Sequence, residues 1–373
     1  MERKQPPFRA DHVGSLVRPQ ALIDAWEAWR EEKIEEDEFR GIQQEAIRQV
    51  VRRQEDLGLK LVTDGEYNRT TWQSYFLLKI DNVKQVPSKF KVRFHSDKGD
   101  MEGKPHTVNV TGRLSRPQGI FVDDFKFLKN IARSVPKITI PSPSVMHFRC
   151  GRDGIDRKAY PEMTDFYADL ARVYREEITD LAAAGCRYLQ LDEVNLAYLC
   201  DPALRDQVRD NIGEDPDTLP ETYAGLINAA IAGRPDDMVV TMHLCRGNFA
   251  GNWMAEGGYE PVAETLFNSI NVDGYFLEYD SDRAGGFEPL RYVPSNKTVV
   301  LGLVTTKKPD LENKDEIKRR IEQAAEYLPL EQLALSPQCG FSSGIGGNTM
   351  DIEQQFAKLQ LIVDVAREVW GST

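Results

Sequence analysis

Residues 239–245 read VVTMHLC, and the alternation within them decides the fold. In an extended strand, side chains two apart share a face, so Thr241, His243 and Cys245 point one way and Val240, Met242 and Leu244 the other. An apolar set facing outward and a polar set facing inward is the pattern of a strand whose back packs on helices and whose front lines an enclosed interior. Two further segments divide alike. In RYLQLDE (187–193) Gln190 and Asp192 oppose Leu189 and Leu191, and in GYFLEYD (274–280) Phe276, Glu278 and Asp280 oppose Tyr275, Leu277 and Tyr279.

Working outward, five more runs bounded by Gly, Pro or Asp read as strands: FRADHVGS (8–15), KLVTDGE (60–66), KITIPSP (137–143), TVVLGLV (298–304) and LALSPQC (333–339). Stretches of helical periodicity lie between most of them. Residues 162–184 put Phe166, Leu170, Val173, Tyr174, Ile178 and Leu181 on one face, with Gly185 as the C-terminal cap. A helix over 314–328 starts from Asn313 with Glu316 three residues on, a capping-box spacing, and the last helix carries Ile352, Phe356, Leu359 and Val363. Eight strand–helix units predict a single (βα)8 TIM barrel over 1–373, the α/β class whose active sites lie at the C-terminal ends of the strands. Residues 65–135 interrupt the rhythm after the second strand and are expected to form an inserted hairpin or lid.

Composition narrows the function classes. The net charge of -12 argues against nucleic acid or an anionic membrane as partner. No run approaches the roughly 18 consecutive apolar residues of a membrane span, and MERKQPPFRADHVGS lacks the apolar centre of a secretory signal, so a cytoplasmic protein is expected. A homo-oligomer is compatible with all of this. Five cysteines scattered singly at 150, 186, 200, 245 and 339 do not make a disulfide framework.

Four metal-binding side chains fall at the ends of three strands: His243 with Cys245, Glu278, and Cys339. Two thiolates, an imidazole and a carboxylate are a donor set for tetrahedral Zn2+. Taken singly, each has an ordinary structural reading; together at one barrel mouth they predict a zinc site. Its net charge near -1 suits the activation of an incoming thiol, and so alkyl transfer to sulfur. Gly14 and Ser15 offer donors to a carboxylate, while Glu66 and Asp192 supply two negative charges for an ammonium group. Glu193 faces away from Asp192 and is expected to be structural. His147, past the third strand, is a candidate contact for a second substrate, and Cys150, Cys186 and Cys200 are expected to be bystanders.

These segments, from HVGSLVRP to SPQCGFSS, resemble the catalytic domain of cobalamin-independent methionine synthase, and most closely its short single-barrel relatives. The resemblance implies zinc held by His243, Cys245, Glu278 and Cys339, and homocysteine held by Gly14, Ser15, Glu66 and Asp192. It implies methionine biosynthesis by a methyltransferase, with a methyl donor such as 5-methyltetrahydrofolate. The family's D-x-H-S-P segment aligns with TTKKP, which places Lys307 at the position of the folate-protonating histidine. A lysine there serves as an acid only if its pKa is depressed. Two other readings fit some of the same residues: a zinc-dependent carbon–sulfur bond-forming transferase or lyase, similar to the epoxyalkane:coenzyme M transferases, and a non-catalytic zinc-stabilised binding module.

Overall fold

The computed structural model describes residues 3–88, 92–96, 99–103, 106–342, 344–346 and 349–373. Six of the eight expected strands join one parallel sheet, in the spatial order Leu333–Pro337, Thr298–Val304, Gly274–Glu278, Val239–Leu244, Tyr188–Glu193, Ile138–Pro141. Neighbours in space are neighbours in the chain, as expected when each strand is followed by a helix that crosses back over the sheet. Every residue of these six strands is buried except the half-buried Val239. Val240, Met242, Leu244, Leu189, Leu191, Tyr275 and Leu277 belong to the large apolar cluster shared with the helices. Phe276 instead meets Val13, Val300 and Ala334 in a separate small cluster. The two faces read from strand parity are therefore two different environments.

The first two expected strands are shorter than the sequence suggests. From 8–15 only Ala10 pairs, as a parallel bridge to Leu335, and from 60–66 only Leu61–Val62, which pairs with Val135–Pro136 just ahead of Ile138. The break shows in the backbone. Gly14 has a φ of 141°, and Gly65 and Glu66 have φ of 69° and 60°, so both chains leave the extended path. Two bonds still tie these segments together, Leu16 N to Gly65 O at 3.0 Å and Thr63 Oγ1 to Gly14 O at 2.7 Å. The architecture is α/β with a parallel sheet whose chain order matches the expected one.

Helix Met163–Ala183 buries Phe166, Leu170, Val173, Tyr174, Ile178 and Leu181, the face predicted, and Gly185 lies just beyond it with φ of 96°. Helix Lys314–Ala325 starts at Asn313, whose side chain accepts from the amides of Asp315 and Glu316. The reciprocal capping box belongs instead to the last helix, Ile352–Trp370, through Asp351 and Gln354.

Residues 65–135 hold two antiparallel ribbons, Val83–Pro87 with His106–Val110 and Val92–Phe94 with Met101–Gly103, and then helix Val122–Ile131. The second ribbon reaches the loop after Val239–Leu244: His95 N donates to Trp253 O at 2.7 Å, and Trp253 N to His95 O at 2.9 Å. The Phe94 and Phe249 rings lie 5.3 Å apart beside this pair. Among the described residues no helix is long and apolar enough to cross a membrane.

Candidate active site

Parallel pairing sets His243 directly beside Asp192 on one side and Phe276 on the other. Cys245 follows the end of its strand, and Cys339 lies two residues past Pro337. All three residues are buried, and the donor atoms of His243, Cys245 and Cys339 lie within 4.8 Å of one another. Donors 2.0–2.3 Å from a tetrahedral zinc would stand about 3.8 Å apart at most. A movement of about 1 Å therefore closes the cluster on an ion, and a set of two sulfurs and one imidazole nitrogen has the softness zinc prefers.

The electrostatics fit a cation here. The hydrogen bond from Cys339, with His243 alongside, holds the Cys245 thiol down to about 5 against the opposing effect of burial. Burial acts to lower His243, yet Cys245 and Asp192 outweigh it and raise the ring to about 10. The shared proton on the thiols pushes Cys339 well up. These are the protons a divalent cation would displace. Asp192 Oδ1 lies 3.5 Å from His243 Nδ1 and accepts from Gln190 Nε2 at 2.7 Å. A carboxylate behind a metal-binding histidine fixes its ring orientation.

Glu278 is fully buried beside this triad but is engaged elsewhere. Its Oε2 accepts from the Arg246 amide at 2.7 Å, and its Oε1 meets Arg283 and, at 3.2 Å, the Lys307 ammonium. Burial would raise its pKa; Lys307, Arg246 and Arg283 reverse that and hold it at about 2. Lys307 also lies 3.5 Å from Asp280. Its burial favours the neutral amine, but Asp280 and Glu278 raise it above the ordinary lysine value. The depressed lysine required of a proton donor is thus not what these contacts make; Lys307 is a charge partner of Glu278.

A cavity of about 290 Å3 opens beside the triad, lined at this end by Ser15, Glu66, Asp192, His243, Cys245 and Cys339. Glu66 is 3% exposed. Its Oε1 accepts from Thr139 Oγ1 at 2.9 Å and lies 3.6 Å from Arg69, while Oε2 is buried with no hydrogen-bond partner among the described residues. The turn that presents it is tightly fixed: Asp64 Oδ1 accepts from the Glu66 amide at 2.8 Å, and Arg18 Nη2 donates to Glu66 O at 2.8 Å. A non-glycine residue at positive φ costs on the order of 1–3 kcal/mol and is retained where the surroundings demand it. Gly14 is required beside it, because a Cβ there would lie 2.7 Å from Thr139 Cγ2.

His147 is not brought to this cavity. It is fully buried, with Nδ1 3.0 Å from Tyr223 Oη and Nε2 3.5 Å from Glu214. The neighbour that does line the wall is Arg149, from the same PSPSVMHFRC segment, together with Trp72, Gln73 and Phe249. None of these four carried a motif. Glu193 accepts from the amides of Asn195 and Leu196 and from Ser144, which is the structural role expected. His12 is likewise structural, hydrogen-bonded to Gln54 and pushed by burial down to about 3.

The comparisons point one way. A family model described as the catalytic domain of cobalamin-independent synthase matches residues 8–368. The Bacillus subtilis protein YxjH is 42% identical over 99% of this chain and 96% of its own. A solved structure from Listeria monocytogenes, provisionally described as a vitamin-B12-independent methionine synthase, is 39% identical, covers 99% of this chain and 100% of its own, and superposes with a TM-score of 0.78. The methionine synthase of Pyrococcus furiosus is 25% identical over 96% of this chain and 91% of its own.

Proposed function

Because the chain belongs to the catalytic-domain family of the cobalamin-independent synthases, we propose that it is a zinc-dependent S-methyltransferase that converts homocysteine to methionine. In this reading the strands form a single (βα)8 barrel, and the 65–135 segment is a lid over its mouth. The observation that carries the reading is one cavity: Glu66, one of whose carboxylate oxygens is buried without a hydrogen-bond partner among the described residues, and Asp192 share it with the sulfur–imidazole triad. An amino acid with a thiol side chain has the complementary groups.

His243, Cys245 and Cys339 would hold the zinc, with Glu278 as the fourth donor when it leaves Lys307 and Arg283. Bound zinc supplies a lowered thiol pKa, so that the substrate sulfur is a thiolate at neutral pH. Glu66 and Asp192 grip the ammonium group, Ser15 faces the carboxylate, and the walls exclude water from the sulfur. The thiolate lone pair then forms the new carbon–sulfur bond. The donor's bond to that carbon breaks, and its electron pair stays on the donor heteroatom, which takes up a proton. The donor proposed is a methylated folate such as 5-methyltetrahydrofolate.

The test is metal content and binding together. Purified protein should hold about one zinc per chain, and Cys245→Ala and Cys339→Ala should hold almost none. Homocysteine should bind the zinc-loaded protein far better than its des-amino analogue. Full zinc in both variants, or equal affinity for the two thiols, sinks the reading.

A further inference from the structure

Glu278 stands apart from the other three candidate donors. The donor atoms of His243, Cys245 and Cys339 lie within 4.8 Å of one another, and the Glu278 carboxylate is outside that group. Both of its oxygens are engaged, Oε2 by the Arg246 amide at 2.7 Å and Oε1 by Arg283 and by Lys307 Nζ at 3.2 Å. The two cations share a second carboxylate, since Asp280 lies 3.5 Å from Lys307 and 3.2 Å from Arg283. None of these four side chains is more than 10% exposed. Two anions and two cations thus make a buried, neutral block beside the triad.

The cations in that block have fixed bases. The Lys307 amide donates to Thr305 Oγ1 at 3.2 Å and its carbonyl accepts from Thr349 Oγ1 at 3.0 Å, so its stem starts from a held backbone. The Arg283 guanidinium lies over the Trp253 ring, 4.7 Å from its centre. A substrate thiolate that reaches the metal brings one negative charge and takes the place of one ligand. Thiolate and imidazole are the softer donors, so the carboxylate is the one that yields. A displaced carboxylate in this position cannot be hydrated, and its burial is strongly disfavoured unless a cation is already there to receive it.

We propose that Lys307 is a positioning residue that competes with the metal for Glu278: with Arg283 it receives the carboxylate when the substrate thiol takes its place, and so sets both how tightly the metal is held and how readily the thiol enters. The inference rests on the zinc-and-thiol reading of the site and deepens it. The role is one of ligand exchange, in which Lys307 keeps its proton throughout. A compact ammonium on a flexible stem suits the task, because it can follow the carboxylate over a short swing.

Two constants test this: zinc affinity, read by competition with a chelator, and homocysteine affinity of zinc-saturated protein, read by calorimetry. Lys307→Met should hold zinc roughly tenfold more tightly and bind homocysteine roughly tenfold more weakly, the usual size of coupling between groups in contact. Lys307→Arg, which keeps the charge, should move both constants less. In a Glu278→Gln background, Lys307→Met should change either constant far less, since the carboxylate under competition is gone. Glu278→Gln alone should weaken zinc and tighten homocysteine, a measurement that stands even if Lys307→Met does not fold. Equal effects of Lys307→Met in both backgrounds overturn the assignment, as does a Glu278→Gln protein that loses homocysteine affinity along with zinc. Wild type that binds neither zinc nor homocysteine would instead remove the methyl-transfer reading, an outcome distinct from failure of the two-background comparison.

Discussion

Glu66 carries the sharpest contrast between what a residue is and what its site demands. It is a carboxylate almost closed off from water, with one oxygen hydrogen-bonded to Thr139 and the other buried without a hydrogen-bond partner among the described residues. Burial, together with Asp192 and Asp64, raises its pKa, although Arg69 opposes the shift. An ammonium group seated there would stabilise the charged form, so binding energy is held in reserve for an amine. Glu66→Gln should weaken homocysteine by about 2–5 kcal/mol, as when a buried charge pair loses one partner. The des-amino analogue should bind wild type and variant alike by calorimetry, and an equal loss for both thiols contradicts the role. Gly340, next to Cys339, shows a steric demand instead: a Cβ there would collide with Ser15 Oγ, while the adjacent Phe341 amide donates to Ser15 O at 2.9 Å. Gly340→Ala should cost roughly 1–3 kcal/mol in denaturant unfolding, the usual penalty for overpacking, and should weaken homocysteine as well.

At the scale of elements, strand parity did most of the positioning. Because His243 and Asp192 are register partners across a parallel pair, the orientation of the candidate metal ligand follows from strand pairing and needs no special loop. The 65–135 segment shows a different effect. Asp124 lies in the first turn of helix Val122–Ile131 and within hydrogen-bonding reach of Tyr75 Oη at 3.4 Å. Burial and then Asp64 push its pKa up to about 7, against Lys79 and Arg69. Its folded pKa lies above the unfolded value of 3.8, so the folded state binds more protons between those limits. Stability from this group is then greatest at low pH and is lost as pH rises from about 4 to about 7. Asp124→Asn should raise the melting temperature at pH 8 and leave it nearly unchanged at pH 4. Thermal scans at the two pH values check this, and equal shifts at both would contradict it.

For the whole molecule, the site joins distant parts of the chain: Ser15, Glu66, Asp192, His243 and Cys339 converge on one cavity. A metal that binds only this assembled set stabilises the fold by mass action, by about 2.7 kcal/mol when free metal is 100 times its Kd. Chelation should therefore lower the melting temperature of wild type and leave that of Cys245→Ala unmoved. The paired amides of His95 and Trp253 join the ribbon whose Val92 and Phe94 line the cavity to the loop after the His243 strand. If that ribbon is the lid, exchange of these two amides should slow when homocysteine and a folate analogue are bound together. Unchanged exchange in the filled site would make the contact a fixed strut.

The sequence by itself determined the α/β class, the order of the strands, and the gathering of His243, Cys245, Cys339, Glu66 and Asp192. Each of those follows from local rules: period-two alternation fixes faces, and strand ends fix which residues meet at one end of the sheet. Only the tertiary structure decided the rest. Glu278 lies among Arg246, Arg283 and Lys307, and Lys307 is held as a cation, because burial and neighbouring charge set a pKa and neither is written in local spacing. His147 turned into the packing beside Tyr223 while Arg149, two residues on, reached the cavity. That choice depends on how the helix Ser144–Cys150 rotates against its neighbours, a property of the packed whole. The first two strands ended early for a comparable reason, since positive φ at Gly14, Gly65 and Glu66 serves contacts made across the chain with Thr139 and Arg18.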